Sequence, residues 1–321
     1  MDGGTPRRDA VSEHGGRGFP PPRGIRGPLP TAPAGSGRHT LETAGRGRRR
    51  GRTDLVKEPL LALVRAAPDR GQALNAMREY LQALVLRSFH ESEAFRCLAF
   101  VGGTALRFLH GLPRFSEDLD FSIVSADRYA GPVWMAKLKR DLALAGFSPE
   151  VTWNERRTVH TGWVRLHGIL QEAGLSPLAN EKLAIKVEVD TQPPGGGRCE
   201  RQIVTRHLSF LLQYHDLSSL MAGKIHALLT RRYAKGRDWY DLVWYLSQRP
   251  PVAPNLALLE NALAQTQGVD RPAARDWMRT VKNRLLKIDV PALADDVGPF
   301  LERPQDANLI TRENLLRLLP D

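Results

Sequence analysis

Residues 101–122 read VGGTALRFLHGLPRFSEDLDFS, and this stretch decides the fold of the chain. The apolar run CLAFV, which ends just before the two glycines, predicts a short buried strand. Gly102 and Gly103 predict a turn in which the backbone can approach a ligand closely. Thr104 then begins a predicted helix, TALRFLH, whose free N–H groups and positive dipole end would face the same place. This arrangement suits a triphosphate, and the alternative is a tight turn without a ligand.

Two aspartates close the same stretch. Asp118 and Asp120 lie in DLDFSIV, where polar and apolar residues alternate, so a strand is predicted in which both carboxylates point the same way. Like charges this close are unfavourable unless a cation lies between them. Mg²⁺ is held in this way, by one or two carboxylates together with substrate phosphate oxygens. A solvent-facing strand is the alternative, but the apolar residues that alternate with the acids indicate a strand inside the domain.

A third acid is available on another predicted strand. The segment 183–190, LAIKVEVD, alternates again and places Lys186, Glu188 and Asp190 on one face. An Asp-x-Asp pair with one more acid is the minimum set for a two-metal displacement at phosphorus, in which one ion activates the attacking hydroxyl and the other stabilises the leaving pyrophosphate. Glu188 is the candidate for this position, and Asp190 is its rival.

The rest of the chain divides into a mixed part and a helical part. Strands are predicted at 97–101, 118–124, 149–157, 161–170, 183–190 and within 201–213. Helices are predicted at 53–66, 69–93, 104–110, 134–145, 218–233, 238–248, 255–266 and 271–286, with shorter pieces to 319. This order indicates an α+β fold, with a sheet-containing domain over 53–215 and a helical domain over 216–321 that completes the active site.

The charge of the chain is unevenly distributed. Its 321 residues include 46 Lys and Arg against 35 Asp and Glu, a net charge of +11. Residues 1–52 hold eleven Arg and four acids, or +7, which leaves +4 for 53–321. Twelve Gly and seven Pro in the same 52 residues predict a disordered tail. One interpretation is a coding start that lies further downstream or a tail without function, and the other is an electrostatic arm for nucleic acid, although Phe19 is its one aromatic residue.

Composition excludes several classes of protein. No apolar run approaches the ~18–20 residues of a membrane span, and the N-terminus has no apolar core of a secretory signal. Cys97 and Cys199 have neither the number nor the spacing of a disulfide framework or a structural zinc site. We therefore expect a cytoplasmic protein with no membrane segment.

Two predicted helices carry charges of interest. Lys224 lies within an apolar helix face, so its ammonium must reach water along the helix flank or bind an anion such as a triphosphate oxygen. Asp238 and Asp241 share a face of the next helix, and from the residues alone both are capping acids, with Asp238 as the N-cap and Asp241 in the first turn. The basic residues between these helices form either a solvated loop or a patch that steers phosphates; they are Arg231, Arg232, Lys235 and Arg237. His226 is expected to face away from Lys224, outside the site.

In combination these features resemble the AbiEii/AbiGii toxin family of the DNA polymerase β-like nucleotidyltransferases. The family's first motif is a GG[ST] turn followed by DxD, matched here by Gly102-Gly103-Thr104 and by Asp118 and Asp120, with Arg114-Phe115-Ser116-Glu117 between them. Its Kx[DE] motif is matched by Lys186-Val187-Glu188. Its two helical motifs resemble LMAGKIHALLTR, with Lys224, and RDWYDL, with Asp238 and Asp241. The resemblance covers residues 95–246, although the Gln that often precedes the motif lysine is missing before Lys224.

The resemblance implies a bilobed molecule with a mixed sheet, flanking helices and a helical C-terminal half that closes over the nucleotide. It implies transfer of a nucleoside monophosphate from an NTP to an acceptor hydroxyl, dependent on Mg²⁺ or Mn²⁺. Members of the family act as growth-arresting toxins in type IV toxin–antitoxin and phage abortive-infection systems, and some modify the acceptor end of tRNA. An antitoxin encoded nearby is implied as a partner, and we expect a monomer.

The resemblance also implies roles for individual residues. Asp118, Asp120 and Glu188 would bind the metal, and Glu188 or a neighbouring acid would take the acceptor's proton. Lys224 and Asp241 complete the catalytic set, with Asp238 and Asp241 either orienting Lys224 or an arginine or activating the acceptor. The residues implied in nucleotide and phosphate binding are Gly102, Gly103, Thr104, Arg114, Ser116, Lys186, Lys224, Arg237 and Asp238.

Two other functions use the same features. A small-molecule nucleotidyltransferase of the antibiotic-modifying kind has the same Gly-Gly and DxD core. A catalytically silent NTP-binding module is the second alternative, and three candidate metal ligands argue against it.

Overall fold

The computed structural model describes residues 56–268 and 273–319. The predicted tail over 1–52 and the predicted start of the first helix lie outside these residues. The strands are β1 Leu98–Val101, β2 Leu119–Ile123, β3 Ser148–Asn154, β4 Val159–His167, β5 Lys182–Asp190, β6 Cys199–Val204 and β7 Phe210–His215. The helices are α1 at 56–66, α2 Arg70–Glu91, α3 Gly102–His110, α4 Gly131–Leu144, α5 Ile169–Glu172, α6 Leu217–Thr230, α7 Gly236–Leu246, α8 Leu256–Gln267, α9 Trp277–Leu285, α10 Val290–Val297 and α11 Arg312–Leu318.

The strands form one seven-stranded mixed sheet in the order β3-β4-β5-β2-β1-β7-β6. The central strand β2 runs antiparallel to β1 and parallel to β5. Helices α2, α3 and α4 pack against strands of the sheet. The fold is therefore α+β, as the alternation of predicted strands and helices indicated.

Alternation along β2 separates the core from the site. Phe121 is 1% exposed, and its ring lies 5.3 Å from that of Phe100 and 5.5 Å from that of Phe89 on α2. Burying an aromatic side chain of this kind contributes about 2 kcal/mol or more to stability. Because neighbouring residues of a strand point to opposite faces, anchoring Phe121 in the core directs Asp120 to the other face.

One predicted strand was wrong. The segment 201–213 is not a single strand but the antiparallel hairpin β6–β7, with a bend between them in which His207 adopts a φ of +62°. The bend, TRHLS, contains none of the Gly or Pro residues that usually mark a turn, so the sequence did not reveal it. The short helix α5 was also not predicted.

The described residues after β7 form helices and the loops that join them. Their one β-type pairing is an isolated bridge between Leu301 and Arg114. That bridge, with a hydrogen bond of 2.7 Å from the Phe115 N–H to the Phe300 carbonyl, fastens the C-terminal segment to the loop before β2. Helix α6 contacts both α7 and α8. The division into two lobes at residue 215 stays a prediction. Within the described ranges, no helix combines the length and apolar character needed to span a bilayer.

Candidate active site

The turn after β1 is fixed by two glycines. Gly102, the first residue of α3, has a φ of +81°, and a Cβ there would collide with Oδ2 of Asp120. A Cβ on Gly103 would lie 2.8 Å from Nη2 of Arg114 and 2.9 Å from Oγ of Ser116. Only glycine fits between the helix start and these side chains. The first turn of α3 therefore approaches Asp120 closely, with its N–H groups unused by any capping side chain.

Thr104 has a different environment from the one predicted. Its side chain is fully buried, and its hydroxyl donates a hydrogen bond to the main-chain carbonyl of Asp118. The hydroxyl is thus unavailable to a phosphate, which corrects that part of the sequence prediction. Its position ties the start of α3 to the residue that precedes β2.

The strand register brings the predicted acids together. Asp120 lies opposite Val101 on β1 and opposite Glu188 on β5. Asp190 lies opposite Ser122 instead. Because residues that pair across neighbouring strands lie side by side, this register favours Glu188 over Asp190 as the acid next to Asp120.

The carboxylates affect one another's ionisation. Burial, together with the charges of Asp118 and Glu188, raises the pKa of Asp120 to about 6 against the opposing effect of Lys224. Burial also raises the pKa of Asp118, and Glu188 contributes to that shift. Three mutually repelling acids at the end of one sheet are a site where added positive charge is favourable.

In this conformation part of that positive charge is the ammonium of Lys186, whose Nζ lies 2.8 Å from Oε1 of Glu188. Among the described residues no three His, Cys, Asp or Glu side chains are arranged to hold a metal ion. Glu188 is paired with Lys186 here, and its part in a three-acid metal cluster stays a prediction. Asp118 and Asp120 still fit a hard divalent cation by their chemistry, as adjacent carboxylates whose repulsion a cation would relieve.

A buried ion cluster links the loop before β2 with two helices. Arg114 donates to both carboxylate oxygens of Asp241, each at 2.6 Å, and its Nη1 donates to the Phe115 carbonyl at 2.9 Å. Nζ of Lys224 lies 2.7 Å from Oδ2 of the same aspartate. Burial would raise the pKa of Asp241, but the charges of Arg114 and Lys224 outweigh it and lower that pKa.

This cluster changes the interpretation of Arg114. The residue is 1% exposed and its guanidinium is occupied by Asp241, so it is not placed to bind a phosphate as predicted. Its role is to hold Asp241, which in turn holds Lys224. The hydroxyl of Ser116 packs behind Gly103, and Arg237 pairs with Glu117 at 3.0 Å. Both residues were predicted to bind phosphate, but neither lines the cavity.

Asp238 also serves the helical bases. Its carboxylate accepts a hydrogen bond from Arg231 and lies 3.4 Å from Nζ of Lys224. Helix α7 begins at Gly236, so Asp238 lies in its first turn and does not cap it. Of the two roles left open for Asp238 and Asp241, these contacts favour the orientation of Lys224.

A cavity of about 480 Å³ lies between Asp120 and the helical part, and neither Asp118 nor Glu188 is among the residues that line it. That volume falls within the ~300–1,000 Å³ of ligand sites. Gly102, Gly103 and Asp120 form one part of its wall, and Lys224, Arg231 and Asp238 form another. Asp190 also lines it, together with the loop after β5.

His226 is a cavity residue that the sequence prediction missed. It lines the cavity and contacts α8 through a 2.9 Å interaction between Nε2 and Oγ1 of Thr266. His226 contacts α8 whereas Lys224 contacts α7, but both line the same cavity, so the expectation that His226 lies outside it is corrected.

The chain is similar to known proteins in sequence and in structure. Residues 84–312 match the family described as "Nucleotidyl transferase AbiEii toxin, Type IV TA system". A crystal structure of a candidate nucleotidyltransferase from H. pylori is similar at 18% identity with a TM-score of 0.41, covering 73% of this chain and 95% of that one. JHP933 from Helicobacter pylori is similar at 18% identity with a TM-score of 0.40, covering 75% and 88%. No curated protein matches the chain in sequence.

Proposed function

The chain belongs to the AbiEii family of nucleotidyltransferase toxins of type IV toxin–antitoxin systems, and on this premise we propose that it transfers a nucleoside monophosphate from an NTP to a hydroxyl group of RNA. Membership of this family shows that the protein is a nucleotidyltransferase. The acceptor, the metal and the residue roles are the proposal.

One observation supports it most strongly. The Gly102-Gly103 turn, Asp120 and Lys224 come from three separate parts of the sequence and line a single cavity. Transfer of a phosphoryl group requires a cradle for the triphosphate, carboxylates near the reacting phosphorus and a base to balance charge. The glycine turn and Asp120 form one part of the cavity wall, and Lys224 forms another part.

The triphosphate would bind at the start of α3. Free N–H groups at a helix N-terminus bind anions, and the glycines leave room for a phosphate to approach them. Lys224 would contribute a point charge from α6, and Asp241 and Arg114 behind it keep the ammonium oriented toward the cavity. We therefore assign Arg114 and Asp241 as positioning residues.

Asp118 and Asp120 are the residues that would hold Mg²⁺ or Mn²⁺. Bound there, the cation would neutralise charge on the triphosphate and make the acceptor hydroxyl easier to deprotonate. With a pKa of about 6, Asp120 is largely ionised at pH 7 and can serve in this role. Glu188 is the candidate that accepts the acceptor's proton, with Lys186 fixing its Oε1.

An exposed basic loop supports RNA as the acceptor. Tyr233 is 71% exposed between Arg232 and Lys235, and the Arg232 guanidinium lies 5.3 Å from its ring centroid. Arg231, at the start of this loop, reaches the cavity wall. Aromatic rings flanked by basic side chains bind single-stranded nucleic acid by stacking and by charge. An RNA end, such as that of a tRNA, could therefore lie on this loop and enter the cavity.

The experiment is a transfer assay with total cellular RNA and each of the four α-³²P-labelled NTPs. Label that enters RNA and migrates with the tRNA band on a denaturing gel supports the proposal. Label that enters an added aminoglycoside but not RNA would favour a small-molecule nucleotidyltransferase. NTP binding without transfer to either acceptor would favour a silent module. Growth arrest on expression, relieved by co-expression of a neighbouring antitoxin gene, tests the toxin role in cells.

A further inference from the structure

The cavity extends beyond the acids into a space between α6 and α8. In this space the loop that follows β5 forms part of the wall. Side-chain amides of α8 and its N-cap hold that loop by hydrogen bonds. Asn255 donates to the Gly196 carbonyl at 2.7 Å, Asn261 to the Gly195 carbonyl at 2.8 Å and Gln265 to the Gln192 carbonyl at 2.9 Å. Three bonds between one helix and one loop give this part of the cavity a defined width.

The lining includes a group of apolar side chains beside several polar ones. The apolar members come from α6, α8 and the loop, and they are Leu220, Ala227, Leu258, Ala262, Pro193 and Pro194. The polar groups beside them include His226, Gln265 and Thr266. A nucleobase has two apolar faces and a polar edge, so it matches a pocket of fixed width with a small number of hydrogen-bonding groups.

The hydrogen bonds of His226 define what it can offer a ligand. In the tautomer with its proton on Nε2, His226 donates to Oγ1 of Thr266 at 2.9 Å, while that hydroxyl donates to the Ala262 carbonyl at 2.9 Å. Burial lowers the pKa of His226, which keeps the imidazole neutral at pH 7. A neutral ring with its proton on Nε2 leaves Nδ1 as an acceptor for a group in the cavity.

We propose that the base of the NTP binds between α6 and α8, and that Nδ1 of His226 accepts a hydrogen bond from an N–H group on its edge. Thr266 is the positioning residue that fixes the tautomer and the ring. Lys224 and His226 then divide the nucleotide between them: Lys224, on the α7 side of α6, takes the triphosphate, and His226, on the α8 side, takes the base. The proposal rests on the proposed function only in that the ligand is an NTP.

Equilibrium dialysis with ATP, GTP, CTP and UTP, and separately with tripolyphosphate, tests this without any transfer step. The wild-type protein should prefer one base. His226→Ala should reduce the ratio of the strongest to the weakest affinity by about tenfold, the effect of losing one hydrogen bond to the base, and leave the affinity for tripolyphosphate unchanged. Thr266→Val should reduce the ratio less, and His226→Asn, which keeps a polar group near the position of Nδ1, should restore part of it.

His167→Ala is the matched control, because His167 lies on β4 with Nε2 3.2 Å from Glu150 and does not line the cavity. It should keep the wild-type preference. Equal affinity of the wild type for all four NTPs, an unchanged ratio in His226→Ala, or equal losses for NTPs and tripolyphosphate would overturn the inference. A base preference that depends on His226, with no label transferred to RNA, would instead contradict the proposed function and leave the base site standing.

Discussion

Replacing Asp241 by Asn should destabilise the protein strongly, because it removes the carboxylate that the buried Arg114 and the partly buried Lys224 share. Asp241 is 0% exposed and Arg114 is 1% exposed, so neither can turn to water for compensation. Breaking a buried ion pair from one side costs about 3–5 kcal/mol. The side chain keeps its size in this variant, so the loss measures charge and hydrogen bonding rather than a cavity.

The assay is urea unfolding followed by far-UV circular dichroism at pH 7. We expect the free energy of unfolding of Asp241→Asn to fall by about 4 kcal/mol, with an unchanged dependence on urea concentration. The control is Glu313→Gln, which removes an exposed pair with Arg317 at the same 2.6 Å separation and should cost less than about 0.5 kcal/mol.

A double-mutant cycle isolates the pair itself. Arg114→Met combined with Asp241→Asn should cost less than the sum of the two single changes, by about 1–3 kcal/mol, because the unpaired guanidinium is then absent. A loss for Asp241→Asn no larger than that for Glu313→Gln would refute the reasoning. So would full additivity of the two buried changes.

Three further predictions concern the turn, the acid dependence of stability and the phosphate contact. Gly102→Ala should abolish NTP binding, because its Cβ would displace the carboxylate of Asp120. The control is Gly111→Ala, at a residue with a φ of +68° and no nearby atoms. It should lower the free energy of unfolding in urea by only ~1–2 kcal/mol and leave NTP binding intact. For Glu79, burial would raise the pKa, but the hydrogen bond from His207 and the charges of Arg107 and Arg206 lower it from 4.5 to about 2. Its stabilising effect is complete above pH 4.5 and is lost as the pH falls toward 2. The difference in the free energy of unfolding between the wild type and Glu79→Gln should therefore narrow by about 3 kcal/mol between pH 5 and pH 2. A difference that stays constant over this range would contradict the prediction. Lys224→Met should weaken tripolyphosphate binding about tenfold or more in equilibrium dialysis, and an unchanged affinity would remove Lys224 from the phosphate site.

The local patterns predicted much of the fold. Alternation in DLDFSIV and LAIKVEVD placed Asp120 and Glu188 on defined faces of two strands, and the structure confirms both strands. Their pairing side by side depends on β2 and β5 meeting across a long connection, which no local pattern encodes. The resemblance to a family supplied that contact at the sequence level, and the register of the sheet supplies its physical basis.

The site residues that were misplaced share a cause. Arg114 was assigned to phosphate by the resemblance to a family, but its partner Asp241 lies 127 positions later in the chain. His226 was excluded because the α8 wall that it faces is likewise distant in sequence. In both cases a polar side chain found its partner through helix packing, and periodicity within one element cannot predict which element packs beside it.

The most direct test of the proposed activity is transfer of label from an α-³²P NTP to RNA by the wild type and by Asp120→Asn. The substitution keeps the shape of the side chain and removes the charge beside the Gly102 turn. Asp127→Asn, an exposed acid in the loop after β2, is the control. We predict labelled RNA for the wild type and the control, and none for Asp120→Asn. Labelling of RNA by Asp120→Asn at the wild-type rate would contradict the account.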